Sequence, residues 1–545
     1  MNPTVPTTSP PASRPKVRRV PLANVAGLLI ITALLGQVLG FLRTKLINAN
    51  FSTPLTPHAQ NAGVYFAAFS IPDFFFYTIA AGALGVAFMP YLSDRLHKND
   101  RHGMWELANS LLNLLSIIML GVGLIIFIFA EPLIHHIVAP GLTPDQLTNA
   151  ANIMRFLALN PFLFTIGGIL TTAQQTLGRF FFYAIAPLFY NFCVIMSIYI
   201  FRHTSIGIVG VGIGAFIGAI LQLLIIILGL IGTKYHWHWR ILWRNDDFKG
   251  MLKALPPRSL DQGMDQVQSI VETNFASNPH LGGATAISNY NNAYILHTAP
   301  ILLIGTAIST AAFPRLNQRL SQGRPDLFRK DFLMILRAMI WITLPIIIIA
   351  YFTRGYLARL IFTSNAPDIA LIFGFLTAAI FFRVMYAIMS RWFYAQKDTK
   401  TPLFVSIFTI SFNVFLAWKL SQTSSYGVAG LALAQSIVAA TEVCILAAIM
   451  LIRDRGLFNA AFWGGVVRTI SVTGFSVVAG FIMISLYPLG IKDTGLITLG
   501  GKLALIAAVV LGVHIAMSAL FGLEEVRPFL YRVKKIILKP IRLDY

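Results

Sequence analysis

Long apolar runs alternate with short polar breaks along almost the whole chain. They fall near residues 24–49, 61–93, 106–135, 146–176, 181–201, 206–232 and 254–277, and again near 284–316, 331–353, 367–395, 402–420, 425–452, 460–487 and 498–522. Each has about the 17 to 25 residues that a helix needs to cross a bilayer, so roughly fourteen transmembrane helices are expected. A spanning segment must satisfy its own backbone hydrogen bonds, and runs of this length do so as helices. The predicted fold is therefore all-α and polytopic, with two pseudo-symmetric six-helix lobes followed by two C-terminal helices.

Composition agrees: 56% of the 545 residues are hydrophobic, 12% are charged, and the mean hydropathy is +0.71. These values exceed what a water-soluble core requires. Charge is lopsided, with 42 Lys and Arg against 21 Asp and Glu and a formal net charge of +21. The excess sits in every second loop: Arg14 to Arg19, Arg95 to Arg101, Arg179, Lys234 to Lys253, Arg315 to Lys330, Lys397 and Lys400, Arg453 and Arg455, and the C-terminal tail. By the positive-inside rule those loops and both termini are cytoplasmic. Arg202, Arg354, Arg359 and Lys492 are exceptions on the other side. The charge thus reports topology and contact with anionic membrane lipids, and nucleic acid is not an expected partner. Tyr235 to Arg244 mixes aromatic and basic residues as an interfacial helix would. His236 and His238, two residues apart with no acidic or Cys partner, belong to that aromatic belt rather than to a metal site.

Cys193 and Cys444 each lie within an apolar run and imply no disulfide framework. The sequence has no phosphate-binding Gly-Lys-Ser/Thr loop, no HExxH helix and no GxSxG elbow, so an enzyme is not expected. No cofactor is predicted. Transport would draw on membrane potential, an ion gradient such as sodium, or the substrate's own gradient.

An internal repeat supports the two-lobe fold. Ala87 to Leu96 and Ala311 to Leu320 share Pro, Leu, Arg and Leu in register, each span carries an earlier proline (Pro72, Pro300), and Ala186-Pro-Leu-Phe189 echoes Thr401-Pro-Leu-Phe404. The expected organisation is a disordered basic tail (1–22), an N-lobe (23–232), an amphipathic interfacial linker (233–253), a C-lobe (254–452), two further helices (453–522) and a basic C-tail (523–545).

Four stretches, Gly36 to Arg43, Tyr65 to Asp73, Gly82 to Pro90 and above all Trp392-Phe-Tyr-Ala-Gln-Lys-Asp-Thr-Lys-Thr-Pro402, resemble the MurJ (MviN) family of bacterial lipid II flippases. The resemblance runs through most of residues 24–522. It implies two lobes around a central cavity, a groove for a polyprenyl tail made by the last two helices, and alternating access that carries a pyrophosphate-linked disaccharide-pentapeptide across the bacterial cytoplasmic (inner) membrane. The implied partners are the lipid-linked cell-wall precursor, membrane lipids and cell-wall synthesis enzymes, with the chain working as a monomer.

A pyrophosphate in an apolar cavity needs cationic partners. The resemblance carries one of the family's arginines onto Arg43, whose other reading is snorkelling to the membrane surface. Elsewhere this chain departs from the family: Gln37 and the Pro72 to Tyr77 stretch lack expected arginines, Gly63 and Ala81 replace acids, and Tyr294-Ile295 replaces an Asp-Arg pair. Lys45, Arg258 and Arg383 are candidate substitutes for the missing charge. On the eighth helix Asn289, Asn291, Asn292 and His297 can bind the headgroup or hydrogen-bond between helices. Asp261, Asp265 and Glu272, spaced by four and seven, share one face of the seventh helix. Arg258 can neutralise part of that stripe, or the carboxylates can couple transport to a cation. By resemblance a sodium site would use Asp265 and Asn413, although the family's next acid is Ala417 here, and Glu442 can join them. Three functions remain open: a lipid II flippase, an exporter of another polyprenyl-linked glycan or amphiphile, and a non-transporting cell-wall scaffold.

Overall fold

The computed structural model describes residues 22–52, 57–81, 88–362, 364–422, 424–490, 492–527 and 531, with some helical positions, among them 256–262, described by backbone alone. The basic tails lie outside the described residues, as does most of the Gly82 to Pro90 stretch. Among the described residues every regular element is helical. Twelve helical runs there are long and apolar enough to cross a membrane, so the chain is a multi-pass membrane protein. They match the expected second to sixth and eighth to fourteenth spans.

The expected first span is α1 (Leu22–Phe51). The second is broken into α2 (Ala62–Phe75), a π-helical stretch (Phe76–Ala81) and α3 (Met89–His97). Then come α4 (Arg101–Leu133), α5 (Pro144–Leu157), α6 (Asn160–Thr176), α7 (Phe181–Phe201) and α8 (Ile208–Leu228). A linker containing α9 (Asp246–Ala254) leads to the expected seventh span, α10 (Pro256–Ala276), which is 21 residues long but polar. The eighth is again broken, into α11 (Ala284–Pro300), a π-helical stretch (Ile301–Thr306) and α12 (Ala307–Ser321). α13 (Pro325–Phe352), α14 (Arg354–Ile361), α15 (Ala366–Ala395), α16 (Lys400–Leu420) and α17 (Val428–Arg453) complete the second series. α18 (Ala460–Leu486) and α19 (Gly495–Leu520) pack on each other and on α13.

The two series repeat each other in order and in detail. Both broken spans carry a proline, Pro72 or Pro300, just before their π turn. A proline lacks the amide needed for the α-helical ladder and crowds the carbonyl a turn earlier, which favours such an insertion. α8 and α17 both start at a glycine with positive φ, Gly207 at 51° and Gly427 at 58°. There the chain turns sharply back, and α7 packs on α8 as α16 packs on α17. Arg95 and Arg319, aligned by the repeat, each anchor the end of a broken span to acids beyond it: Arg95 to Asp100 (2.9 Å) and Asp247 (2.6 Å), Arg319 to Asp331 (2.9 Å). In the Trp392 to Pro402 loop, Asp398 accepts from the Lys400 and Thr401 amides, the Thr401 hydroxyl and Arg453. Desolvation pushes its pKa up, but the Thr401 and Arg453 donors outweigh that and hold it at about 2.

The linker corrects one expectation. Tyr235 to Leu242 forms no helix and runs along α4, and helix begins only at Asp246. The cause is a pair of asparagines one turn apart on α4. Asn109 donates to the His236 carbonyl (2.9 Å) and accepts from Tyr235 Oη (2.9 Å). Asn113 donates to the His238 and Arg240 carbonyls (both 3.0 Å) and accepts from Trp237 Nε1 (3.0 Å). These bonds take the carbonyls a helix would have used. Trp237, Trp239 and Trp243 remain exposed, as an aromatic belt requires. Replacing both asparagines (Asn109→Ala with Asn113→Ala) is expected to cost about 1–3 kcal/mol, the usual penalty for orphaning buried polar groups. Limited proteolysis should then cut faster between residues 235 and 242.

Candidate functional site: a cavity between the lobes

The lobes touch at the end that carries the Lys/Arg-poor loops. Gly63 on α2 lies against Ala284 on α11 so closely that any side chain would be driven into the Ala284 carbonyl. Around this contact Asn61 Nδ2 donates to Thr285 Oγ1 (3.0 Å), Asn274 Nδ2 to the Ile137 carbonyl (2.7 Å) and the Gly141 amide to Ser277 Oγ (3.3 Å). Slightly deeper, Asn48 and Asn292 exchange amide hydrogen bonds (2.8 and 3.0 Å), and Ser288 donates to Asn48 (2.9 Å). This closes the structure at that end.

Beneath the closure α1, α2, α10 and α11 enclose a cavity of ≈ 210 Å³. Arg43, Tyr65, Ser70 and Asp73 line its N-lobe wall, and Gln266, Ser269, Glu272, Tyr290, Asn291 and Tyr294 line its C-lobe wall. Arg43 therefore reaches into the interior rather than snorkelling. Its Nη1 donates to Asn191 Oδ1 (3.1 Å), its guanidinium lies 5.9 Å from the Tyr190 ring, and its buried Nε has no partner. Among the described lining residues it is the sole cation.

The proposed substitutes lie elsewhere. Lys45 Nζ donates to the Leu360 carbonyl (3.0 Å), tying α1 to α14. Arg383 lies half-buried in the C-lobe against Glu442 (3.2 Å) and Gln435 (3.3 Å), and Ser406 donates to the other Glu442 oxygen (3.0 Å). Glu442 is thus an ion-pair partner. The side chains of Arg258 and Asp261 lie outside the described residues. Asn292 belongs to the interhelical clasp with Asn48, Asn289 is buried off the cavity wall, and Asn291 is the asparagine that faces the cavity. His297 is buried, with neither ring nitrogen bonded to another described protein group.

The acidic stripe of α10 divides. Glu272 is buried on the cavity wall, accepting from Gln268 Nε2 (3.0 Å), whereas Asp265 is exposed, off that wall, within electrostatic reach of Arg383. Asn413, on α16 packed against α10, is fully buried with both amide atoms unpartnered. An orphaned amide oxygen is a donor of the kind a hard monovalent cation takes. Sequence reasoning passed over Asp73, Tyr65 and Tyr290 as site residues. Asp73 was visible inside the Ser-Ile-Pro-Asp motif, but no spacing signal marked its wall.

The family model "Lipid II flippase MurJ" matches residues 59–492. The chain belongs to the MurJ lipid II flippase family. Relatives named "Probable lipid II flippase MurJ" include one from Borreliella burgdorferi, 22% identical over 79% of this chain and 83% of its own length. Another, from Synechocystis, is 24% identical over 84% and 87%. Among solved structures, a lipid II flippase MurJ in an inward closed conformation superposes with a TM-score of 0.73 at 20% identity, covering 92% of this chain and 100% of its own. An inward-facing multidrug transporter of the MATE family superposes with a TM-score of 0.66 at 16% identity, covering 79% and 98%. The fold is thus shared with that MATE transporter as well as with MurJ.

Gly63 makes the closure testable. Gly63→Val should hold the lobes apart at this end, and a disulfide engineered between Asn61→Cys and Thr285→Cys should form readily in the parent chain but at least several-fold less in the Gly63→Val background.

Proposed function

We propose that this MurJ family member flips a lipid II-type precursor from the inner to the outer leaflet of the bacterial inner membrane by alternating access. The observation that carries the reading is an interior arginine, Arg43, facing a cavity sealed at one end by backbone contact. By the positive-inside rule the sealed end is periplasmic and the basic end, with both termini, is cytoplasmic. Arg43 would take a phosphate oxygen of the headgroup, with Asn291, Ser70 and Ser269 available as neutral donors. The ≈ 210 Å³ cavity is smaller than a disaccharide-pentapeptide headgroup, so loading requires the lobes to part at the cytoplasmic end. The paired helices α18 and α19 offer an apolar surface for the polyprenyl tail, and the chain is read as a monomer.

For the driving force, Asn413 and Asp265 would hold a sodium ion, which there offsets the carboxylate charge in the C-lobe. The support is the orphaned, buried amide of Asn413. Membrane potential remains the second source, acting on the charges that move with the lobes.

Two outcomes are expected. In a host depleted of its own lipid II flippase, the chain should restore growth and outer-leaflet lipid II, while Arg43→Ala, expressed and inserted equally, should lose at least about 2 kcal/mol of headgroup interaction and fail. No rescue by a correctly inserted parent chain would refute the reading. Sodium, compared with choline at equal ionic strength, should raise thermal stability by about 1 kcal/mol through linkage. Asn413→Ala should abolish that increment, and a sodium response unchanged in the variant would exclude the assignment.

A further inference from the structure

Glu272 gives the C-lobe wall of the cavity a character that phosphate recognition does not require. Its carboxylate is buried beside Tyr290, one oxygen bonded to Gln268 (3.0 Å). Tyr290 and Tyr294, one turn apart on α11, stack with ring centres 6.3 Å apart and planes 30° apart, and both line the cavity. The Tyr290 hydroxyl is buried against the Glu272 carboxylate, the residue being 6% exposed, and across the cavity the Tyr65 hydroxyl is buried without a hydrogen-bond partner at 3%. A native interior rarely leaves such a hydroxyl unmet unless ordered water or a ligand meets it.

Charge points the same way. Arg383 of the C-lobe is bonded to the buried Glu442, and the buried Glu272 and the exposed Asp265 also lie in its field, so one guanidinium answers three carboxylates. On the opposite wall Arg43 already has Asp73 in its field. A desolvated carboxylate left without an adjacent cation is costly, and a ligand that brings one relieves that cost. A carboxylate, aromatic faces and phenolic oxygens together suit an N–H-bearing cation: the carboxylate and hydroxyls accept its protons while the rings face its charge.

We propose that Glu272, Tyr290 and Tyr294 form a subsite for a primary ammonium group on the transported headgroup, opposite the Arg43 wall. The assignment rests on the flippase reading and adds to it a preference among headgroups. A precursor with both a phosphate and a free amine would span the cavity, anionic end to Arg43 and cationic end to Glu272, whereas a precursor with the amine blocked would engage one wall only.

The test uses the full chain in lipid nanodiscs and two probes: lipid II whose peptide carries a free side-chain amine, and the same lipid after N-acetylation. The parent chain should bind the acetylated lipid about tenfold or more weakly. Glu272→Gln should bind both lipids alike, Glu272→Asp should keep the preference, and Arg43→Ala should weaken both by a similar factor. Equal binding of the two lipids by the parent chain, or a preference that survives in Glu272→Gln, overturns the subsite while leaving the flippase reading intact. A loss in Glu272→Gln that is equal for both lipids and is reproduced by removing sodium assigns Glu272 to an inorganic cation and also overturns it. If the folded parent chain binds neither lipid, the flippase reading falls, and the subsite with it.

Discussion

The backbone of α2 resting on the backbone of α11 governs the geometry of everything between the lobes. Only a residue without a side chain permits that approach, and Gly63 supplies it against the Ala284 carbonyl. Once the two helices touch, Asn61 reaches Thr285, Asn48 clasps Asn292, and the side chains below them are sealed from one membrane face. An acid at position 63, as the family resemblance would have it, could not be accommodated in this arrangement. The departure from the family pattern and the tight closure are therefore one feature.

Sealed from one face, the interior has to settle its own charge. It does so unevenly. The C-lobe pairs Arg383 of α15 with Glu442 of α17 at 3.2 Å, yet leaves Glu272 on the cavity wall with an amide and a phenol rather than a cation. The N-lobe places Arg43 on the other wall, steadied by Asn191 and Tyr190. The cavity thus carries an acid on each wall and a single cation among its described lining residues, which separates it from a site built only to attract phosphate.

Much of this architecture was legible in the sequence, because apolar runs and loop charge are imposed by the bilayer itself. The spans and the repeat signalled by Pro72, Pro300 and the two Arg-Leu endings follow from local rules, whereas Arg43 was singled out by the family resemblance and its inward reach over snorkelling was decided by the structure. The rest depended on distant partners. The linker could not be recognised as non-helical because its carbonyls are taken by Asn109 and Asn113, more than a hundred positions earlier. Asn291 and Asn292 are chemically identical neighbours, yet a rotation of one residue about the helix axis sends one to the cavity and the other to Asn48. Likewise the α10 stripe announced three acids, but only the packing of α11 and α2 singled out Glu272.

The pinned linker bears on how the lobes can move. From Tyr235 to Arg240 it is fastened to α4, and at Asp247 it is held by Arg95 of α3, so nearly its whole length belongs mechanically to the N-lobe. What remains to flex is the short junction between α9 and α10 around Leu255, immediately ahead of two consecutive prolines. The covalent link between the lobes is therefore one short junction at the basic face, while Gly63 against Ala284 and Lys45 on the Leu360 carbonyl tie the lobes elsewhere. Parting the lobes at that face would pivot on the Gly63–Ala284 contact at the far end, and the Leu255 junction is then the piece of chain that has to give as α10 moves.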